Sequence, residues 1–169
     1  GKGRPTAAIA AVGLPFPGDR VTVNLAPAGL RKSGAGLDLP IAVGILAASG
    51  QLAADGLAGT SLLGELALDG RLRPVRGALA LALAARDAGC ARVILPEASA
   101  REAALAPGID ALAAPDLAAV VRHLQMGGAT GGAQGAGLAA AAPPRPAPPA
   151  DAPDLAEVRG QERGKRALE

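Results

Sequence analysis

Aromatic side chains are almost absent from this sequence of 169 residues, which has no tryptophan, no tyrosine and one phenylalanine, Phe16. Aromatic rings supply much of the buried area of an ordinary core, and they form the platforms on which single-stranded nucleic acids stack. Alanine and glycine, with 43 and 24 residues, take their place. We therefore expect one domain of ordinary size with a thin aliphatic core and no base-stacking surface.

Cysteine and histidine occur once each, as Cys90 and His123. One of each cannot form a disulfide within the chain or a zinc site with the usual ligands, and a catalytic triad would have to be built on His123. We interpret Cys90 as a packing residue in a reducing compartment. We interpret His123 as a cation near a helix C-terminus or a surface residue. No metal site is expected.

Long apolar runs and an excess of charge are also lacking. Gly, Pro or charged residues interrupt every stretch of about 18 residues, and no basic-then-apolar leader opens the chain. The 17 Lys and Arg residues nearly balance the 15 Asp and Glu residues, so the net charge of +2 indicates no particular partner. We expect a cytoplasmic protein that does not enter a membrane.

Composition divides the chain into three zones. Residues 1–125 mix aliphatic residues with regularly spaced turn signals, which predicts one domain. Residues 126–150 are rich in Gly, Ala and Pro and predict a linker with an extended, proline-rich second half. Residues 151–169 carry nine charges and predict the start of a second domain. Because the chain opens with Gly1 and stops within a helical pattern, we expect a fragment of a longer protein.

Helical and extended patterns alternate in the first zone. Periodicity and turn signals predict helices over 6–12, 37–49 and 77–88, and strands over 21–25, 92–96 and 109–113. For 77–88, leucines at every second position also fit a strand, but the alanines and the terminal Gly89 favour a helix.

Turn and cap signals complete the predicted fold. Asp69-Gly70 predicts a type I′ turn in a β-hairpin whose strands are 61–68 and 71–75. Ser99, with Glu102 three residues on, is predicted to cap a helix that ends near residue 104, and Asp116 one that ends near residue 124. A hairpin combined with βα alternation indicates an α/β fold with a mixed sheet.

A glycine-rich loop with the sequence RKSGAG occupies residues 31–36 and leads into a predicted helix. Its N–H groups and basic side chains would suit an anion, and a plain turn is the alternative. Asp38 is expected in the first helical turn, where its charge meets the helix dipole, with a carboxylate beside a pocket as the alternative. The pattern G-x-x-x-x-G-K-[ST] occurs nowhere in the sequence, so this chain alone is not expected to hydrolyse ATP.

Six segments, taken together and in order, carry a family resemblance. They are VTVNLAPA at 21–28, KSGAGLDLPIA at 32–42, GELALDGRLRPVRG at 64–77, VILPE at 93–97, EAA at 102–104 and DLAEVRGQERGKRAL at 154–168. The first five resemble the amino-terminal domain of the magnesium-chelatase-like AAA+ ATPases of the YifB/ComM type. The last is similar to the entry to the ATPase module of that family.

The resemblance implies a Lon-protease-domain-like α/β fold that here lacks its amino-terminal strands. It also implies a linker to a ring-forming ATPase, with ATP and Mg²⁺ as cofactors and a homo-oligomer, a hexamer, as the assembly of the full-length protein. One branch of the family is similar to hexameric DNA helicases that move branched junctions during natural transformation. DNA is therefore a possible partner, beside the protein's own AAA+ module.

Site residues follow from the same resemblance. Lon proteases carry a nucleophilic serine in a Pro-Ser-Ala-Gly loop and a lysine shortly after a hairpin. The comparison puts Gly34 in the place of the serine and Leu79 in the place of the lysine. Ser33 is one position away and would depend on Lys32 as a neutral base, so we expect no peptidase activity.

An incomplete ATP site is implied near the end of the chain. Val158, Gly160 and Gln161 fall where family members contact the adenine of ATP.

Three arginines, Arg71, Arg73 and Arg76, follow the predicted hairpin turn. Arg71 and Arg73 alternate on a strand and would share a face that contacts DNA phosphates or a neighbouring subunit. The alternative is a solvated edge strand guarded by charge, with Glu65 and Asp69 as ion-pair partners.

Three functions stay open. They are a part of a DNA-remodelling motor, a protein-binding scaffold in an ATPase ring and, least favoured, a serine–lysine peptidase.

Overall fold

A computed structural model of the protein describes residues 3–18, 20–24, 35–128, 137–145, 157 and 159–168. Helices alternate with short strands along this part of the chain. In order they are α1 (Arg4–Ala11), α2 (Asp38–Ala48), β1 (Thr60–Leu62), β2 (Glu65–Leu66), β3 (Leu72–Arg73), α3 (Ala78–Asp87), β4 (Arg92–Pro96), α4 (Glu97–Ala103), β5 (Asp110–Ala114), α5 (Leu117–Gln125) and α6 (Glu162–Leu168). Single turns of 3-10 helix, Ala35–Leu37 and Ala54–Leu57, precede α2 and β1.

A parallel sheet of three strands lies at the centre, in the order β1, β4, β5. Its side chains alternate between two apolar clusters, because successive residues of a strand point to opposite faces. Val93 and Leu95 pack with α3 and α4, whereas Ile94 packs with α1, α2 and α5. Helices thus cover both faces of the sheet, and the predicted α/β class is confirmed.

The two clusters differ in the size of their side chains. Leucine, isoleucine and valine dominate the cluster of α1, α2 and α5, with Ile9, Leu39 and Leu46 fully buried. Alanine supplies every fully buried position that α3 and α4 contribute to the other cluster. Small side chains let helices approach a sheet closely but bury little apolar area. The expectation of a thin aliphatic core is therefore confirmed for this face.

The β2–β3 hairpin forms a separate antiparallel pair, with Leu66 opposite Leu72. A hairpin forms as predicted, but its strands are two residues each, whereas residues 61–62 of the predicted first strand belong to β1 of the parallel sheet. The hairpin does not join the parallel strands in one mixed sheet. The predicted type I′ turn is wrong, because such a turn has two loop residues. Here the Ala67 N–H donates to the Arg71 carbonyl at 2.9 Å, which leaves three loop residues between them. Only Gly70 among those three has a positive φ, of 88°, whereas a type I′ turn needs one at Asp69 as well.

The strand predicted over 21–25 is not formed by residues 21–24, and Leu25 lies outside the described residues. A β-strand exists only when a neighbour satisfies its backbone N–H and C=O groups. No described strand bonds to this segment, and Val21 and Val23 remain 39% and 48% exposed. Alternation of apolar and polar residues was therefore not enough to predict a strand at residues 21–24.

The remaining elements agree with the sequence-based predictions, apart from one cap. β4, β5 and helices α1, α2, α3 and α5 form within two residues of the predicted bounds. Asp116 caps α5, where its Oδ1 accepts the Ala119 N–H at 2.7 Å. The predicted cap by Ser99 is wrong, because α4 begins at Glu97, directly after β4. The Ser99 hydroxyl instead bonds to the backbone of Val75.

Part of the predicted linker packs against the domain. Ala140 pairs with Leu112 of β5 in an antiparallel bridge, and the side chain of Leu138 is buried in the larger cluster. The domain boundaries themselves stay predictions.

Candidate functional site

Exposed arginines are concentrated on the β2–β3 hairpin and its exit. Arg71 and Arg73 have side chains that are 81% and 63% exposed, and Arg76 is exposed as well. Arg71 lies 3.5 Å from Asp69, and Arg73 lies 3.9 Å from Glu65. Arg71 and Arg73 thus pair with the two carboxylates, as the alternative of a solvated edge strand predicted.

Arg4 connects the hairpin to the two amino-terminal helices. Its Nε lies 2.9 Å from Asp38 Oδ2, and its Nη1 lies 2.8 Å from Glu65 Oε1. Asp38 stands in the first turn of α2, as predicted, and its Oδ2 also accepts the Leu66 N–H at 3.2 Å. Arg4 was not among the predicted site residues, because nothing near it in the sequence indicates a partner 61 residues away.

Backbone hydrogen bonds hold the hairpin against the body of the domain. The Leu117 N–H donates to the Gly70 carbonyl, and the Leu72 N–H donates to the Pro115 carbonyl, each at 2.9 Å. A Cβ placed on Gly70 would lie 2.9 Å from Cγ1 of Val12, the residue directly after α1. The backbone of the loop is therefore in tight contact with the end of α1 and the start of α5.

One apolar side chain stands out among these charges. Leu68, the first residue of the loop, is 66% exposed, more than any other large hydrophobic residue in the described part of the chain. Leu68 was not among the predicted site residues, because the alternating pattern assigns it to a strand like its neighbours.

Leu79, which resemblance places where a Lon protease has its lysine, lies in the first turn of α3. Its side chain is half-buried against the alanine-rich cluster, and its N–H donates to Glu102 Oε1 at 3.2 Å. The Ser99 hydroxyl nearby accepts from the Val75 N–H at 3.0 Å and donates to the Val75 carbonyl at 3.1 Å. Both polar groups are thus committed to backbone hydrogen bonds.

The loop that would carry the nucleophile reaches the same region. Residues 31–34, including Ser33 and Gly34, lie outside the described residues. At its end, the Gly36 carbonyl accepts the Gly64 N–H at 2.9 Å, and a Cβ on Gly36 would lie 3.8 Å from Val75 Cγ1. The end of the loop therefore lies beside Val75, three residues before α3 begins.

Two of the three residues implied in an ATP site, Gly160 and Gln161, directly precede α6. Val158 is outside the described residues, whereas Gly160 and Gln161 are exposed and have positive φ angles of 75° and 60°. Among the described residues, no group of three His, Cys, Asp or Glu side chains is placed to hold a metal ion. With the phosphate-loop pattern missing from the sequence, the residues present do not fit ATP and Mg²⁺.

His123 is buried, which corrects its interpretation as a surface or helix-end cation. Its side chain is 1% exposed, and its Nδ1 accepts the Leu138 N–H at 3.2 Å. Burial, followed by the positive charge of Arg92, lowers the pKa of His123 below its ordinary value. Cys90 is half-buried at the edge of the alanine-rich cluster, in partial agreement with the packing role predicted for it.

The helices of the described residues are too short or too polar to cross a bilayer.

Comparison with known proteins identifies the family. Residues 1–99 match the family model described as subunit ChlI of Mg-chelatase. The chain is 40% identical to YifB of Escherichia coli over 169 residues, which cover 98% of this chain and 31% of that protein. It is 45% identical to the competence protein ComM of Haemophilus influenzae over 109 residues, which cover 64% of this chain and 21% of ComM.

The match to YifB of Salmonella typhimurium is similar, at 40% identity over 166 residues, 98% of this chain and 31% of that protein. The chain spans about a third of the length of the YifB proteins that it matches. The family model, in contrast, covers more than half of the chain. The chain therefore belongs to the magnesium-chelatase-like ChlI family, together with YifB and ComM.

Proposed function

We propose that this chain is a non-proteolytic, Lon-like domain of a larger cytoplasmic AAA+ ATPase, in which it serves assembly or substrate handling. ATP and Mg²⁺ would be bound by parts of the full-length protein that this sequence does not include. The observation that carries the proposal is Leu79, an apolar, half-buried side chain at the position where the resemblance to Lon proteases places the proton acceptor.

Among the described residues, the polar side chains that bond to the backbone of Leu79 and Val75 are already engaged in hydrogen bonds. The Ser99 hydroxyl donates its hydrogen to the Val75 carbonyl and accepts the Val75 N–H. Glu102 accepts the Leu79 N–H at the start of α3. Because an unactivated serine hydroxyl is a poor nucleophile, losing a general base lowers the rate about 10²–10⁴-fold.

A serine-directed fluorophosphonate probe tests this proposal on the 169-residue chain. We expect no labelling and no hydrolysis of unfolded casein, with a serine protease as the positive control. Labelling that disappears in Ser33→Ala or in Ser99→Ala would contradict the proposal and would favour the peptidase alternative.

For the role in the larger protein, the exposed face of the hairpin favours contact with protein over contact with DNA. The four arginines at the hairpin and α1 are nearly balanced by three carboxylates, Asp38, Glu65 and Asp69. Phosphate binding depends on unpaired cationic charge, whereas a protein interface typically combines an apolar anchor with arginines. Leu68 supplies such an anchor beside Arg71.

Binding of a labelled branched DNA, measured by anisotropy across a salt series, separates the two roles. We expect weak binding that is equally insensitive to Arg71→Ala/Arg73→Ala and to the control Arg101→Ala/Arg122→Ala, which removes the same charge from exposed sites on α4 and α5. For a DNA-contacting hairpin, the first pair alone would lower the slope of log affinity against log salt by about 2.

Self-association is measured on the same variants. If the hairpin contacts a second copy of the chain, Leu68→Ser will reduce the sedimentation-derived association constant, and the control pair will not. Association that Leu68→Ser leaves unchanged would remove the hairpin from the interface.

A further inference from the structure

The segment Leu138–Ala141, here named the strap, lies along the outer edge of the parallel sheet, where an isolated antiparallel bridge joins it to β5. Ala140 stands opposite Leu112. The Ala113 N–H donates to the Ala139 carbonyl at 3.1 Å, and the Ala141 N–H donates to the Ala111 carbonyl at 2.8 Å. The strap therefore runs antiparallel to β5, and it covers an edge that would otherwise expose unpaired backbone groups.

A single side chain fastens the beginning of the strap. His123 Nδ1 accepts the Leu138 N–H, and both side chains are buried, at 1% and 6% exposed. An imidazole nitrogen that accepts a hydrogen bond carries no proton, so His123 is neutral with its hydrogen on Nε2. A protonated Nδ1 would point its own hydrogen at the Leu138 N–H, and the bond would be lost.

The surroundings of His123 favour the neutral form. Arg92, at the start of β4, donates to the Gly128 carbonyl and, at 3.4 Å, to the Ala58 carbonyl, and its charge acts on the imidazole. Of the elements packed on α5, the 3-10 turn before β1 contributes Asp55 and β5 contributes Asp110, and both side chains are exposed. The hairpin loop bonded to the start of α5 carries Asp69 and Arg71, which are exposed as well, and so is Arg122 on α5 itself. The sequence between 128 and 144 has no ionisable side chain.

We propose that the strap is a releasable latch: its docking on β5 through the His123 acceptor fixes where the chain leaves the domain. While the strap is docked, the chain leaves the edge of β5 after Ala141; we name the following nine residues 142–150, five of which are proline, the tether. Release adds the thirteen residues 129–141 to the tether.

The consequence for a following module rests on the proposed function, in which an ATPase module succeeds the tether. A short proline-rich tether would hold the two parts at a set distance, whereas a released one would let them separate by roughly 20 Å more for a coil of thirteen residues. Docking itself does not depend on that function. Loss of the latch proposal would therefore show in the docking of the strap, whereas loss of the ATPase proposal would leave that docking unchanged.

Hydrogen exchange of the 169-residue chain tests the latch. A protection factor is the intrinsic exchange rate of an amide divided by its observed rate. The protection factors of the Ala113 and Ala141 amides measure strap docking, and those of the β4 amides measure the stability of the core. In His123→Leu, which removes the acceptor, we expect a loss of about tenfold or more at both strap amides and little change in β4, because a buried N–H loses its partner. In His123→Asn, whose Oδ1 replaces Nδ1 as the acceptor, most of the protection should return.

The unaltered protein supplies a second measurement, which keeps the test decisive if His123→Leu fails to fold. As the pH falls below about 6.5, the released state takes up a proton more readily than the docked one, so strap protection should fall selectively. His123→Asn should lack this fall, and the control Arg122→Ala should retain it. Equal loss of protection in strap and core, or strap amides unprotected at pH 7.5, would overturn the proposal.

Discussion

The β2–β3 hairpin and the strap are both held on the domain by backbone hydrogen bonds, yet their attachments differ. The hairpin is charged, buries Leu66 completely and is tied to α1, α2 and α5. The strap is uncharged, buries Leu138 and depends on β5 and His123. We infer that the hairpin unfolds only with the whole domain, whereas the strap can detach alone. Local opening of this kind is common where few contacts join a segment to a core.

Truncating the two buried leucines should produce the largest difference between these regions. Leu66→Ala removes a side chain that is 0% exposed and leaves a cavity in the larger cluster, so we expect the free energy of unfolding to fall by about 2–5 kcal/mol. Leu138→Ala should lower it by less than about 2 kcal/mol, because the strap can detach while the rest stays folded. Urea denaturation measures both values.

Equal losses in these two variants would contradict the comparison, since the strap would then unfold together with the core. Ala139→Ser, on the exposed side of the strap, is the control and should leave the urea midpoint unchanged.

The tight loop of the hairpin should respond next most strongly. Gly70→Ala places a Cβ 2.9 Å from Val12 Cγ1 at a φ of 88°, where strain of this kind amounts to about 1–3 kcal/mol. Gly44→Ala is the matched control, because Gly44 is exposed on α2 with nothing within 4 Å of a new Cβ. The control should gain about 0.5–1 kcal/mol of stability, since alanine favours a helix. Thermal unfolding of both variants measures the contrast, and a stabilised Gly70→Ala would show that the loop is looser than its contacts indicate.

The sequence predicted correctly those helices and caps whose stabilising interactions join residues within one or two turns. Asp116 was identified as the cap of α5, because the cap and its partner Ala119 are three residues apart. The alanine-rich segment 77–88 was correctly assigned to a helix for the same reason: propensity and the glycine after it act within one or two turns.

Long-range partners were not predictable from one sequence. The cap assigned to Ser99 failed because its hydroxyl bonds to Val75, 24 residues earlier. The burial of His123 was missed because its partner, Leu138, lies 15 residues later in a segment whose composition indicated a linker. The candidate hairpin face was predicted in part, since the arginines and their carboxylates are close in sequence, but Arg4 reaches it only through the packing of α1 against α2.

The ion pairs of Arg4 should contribute the smallest effect, and its salt dependence distinguishes charge from packing. Arg4 is 44% exposed, so its bonds to Asp38 and Glu65 are screened, and we expect Arg4→Ala to lower the free energy of unfolding by about 1 kcal/mol or less. Raising the salt concentration to about 1 M should remove most of this difference, because surface attraction is then screened within about 3 Å. Arg101→Ala, which removes an exposed arginine from α4, should show neither effect. A loss that persists at high salt would mean that the aliphatic stem of Arg4 packs the hairpin in place. Apolar packing would then hold both the hairpin and the strap on the domain. The two regions would differ only in how many contacts each makes with the domain.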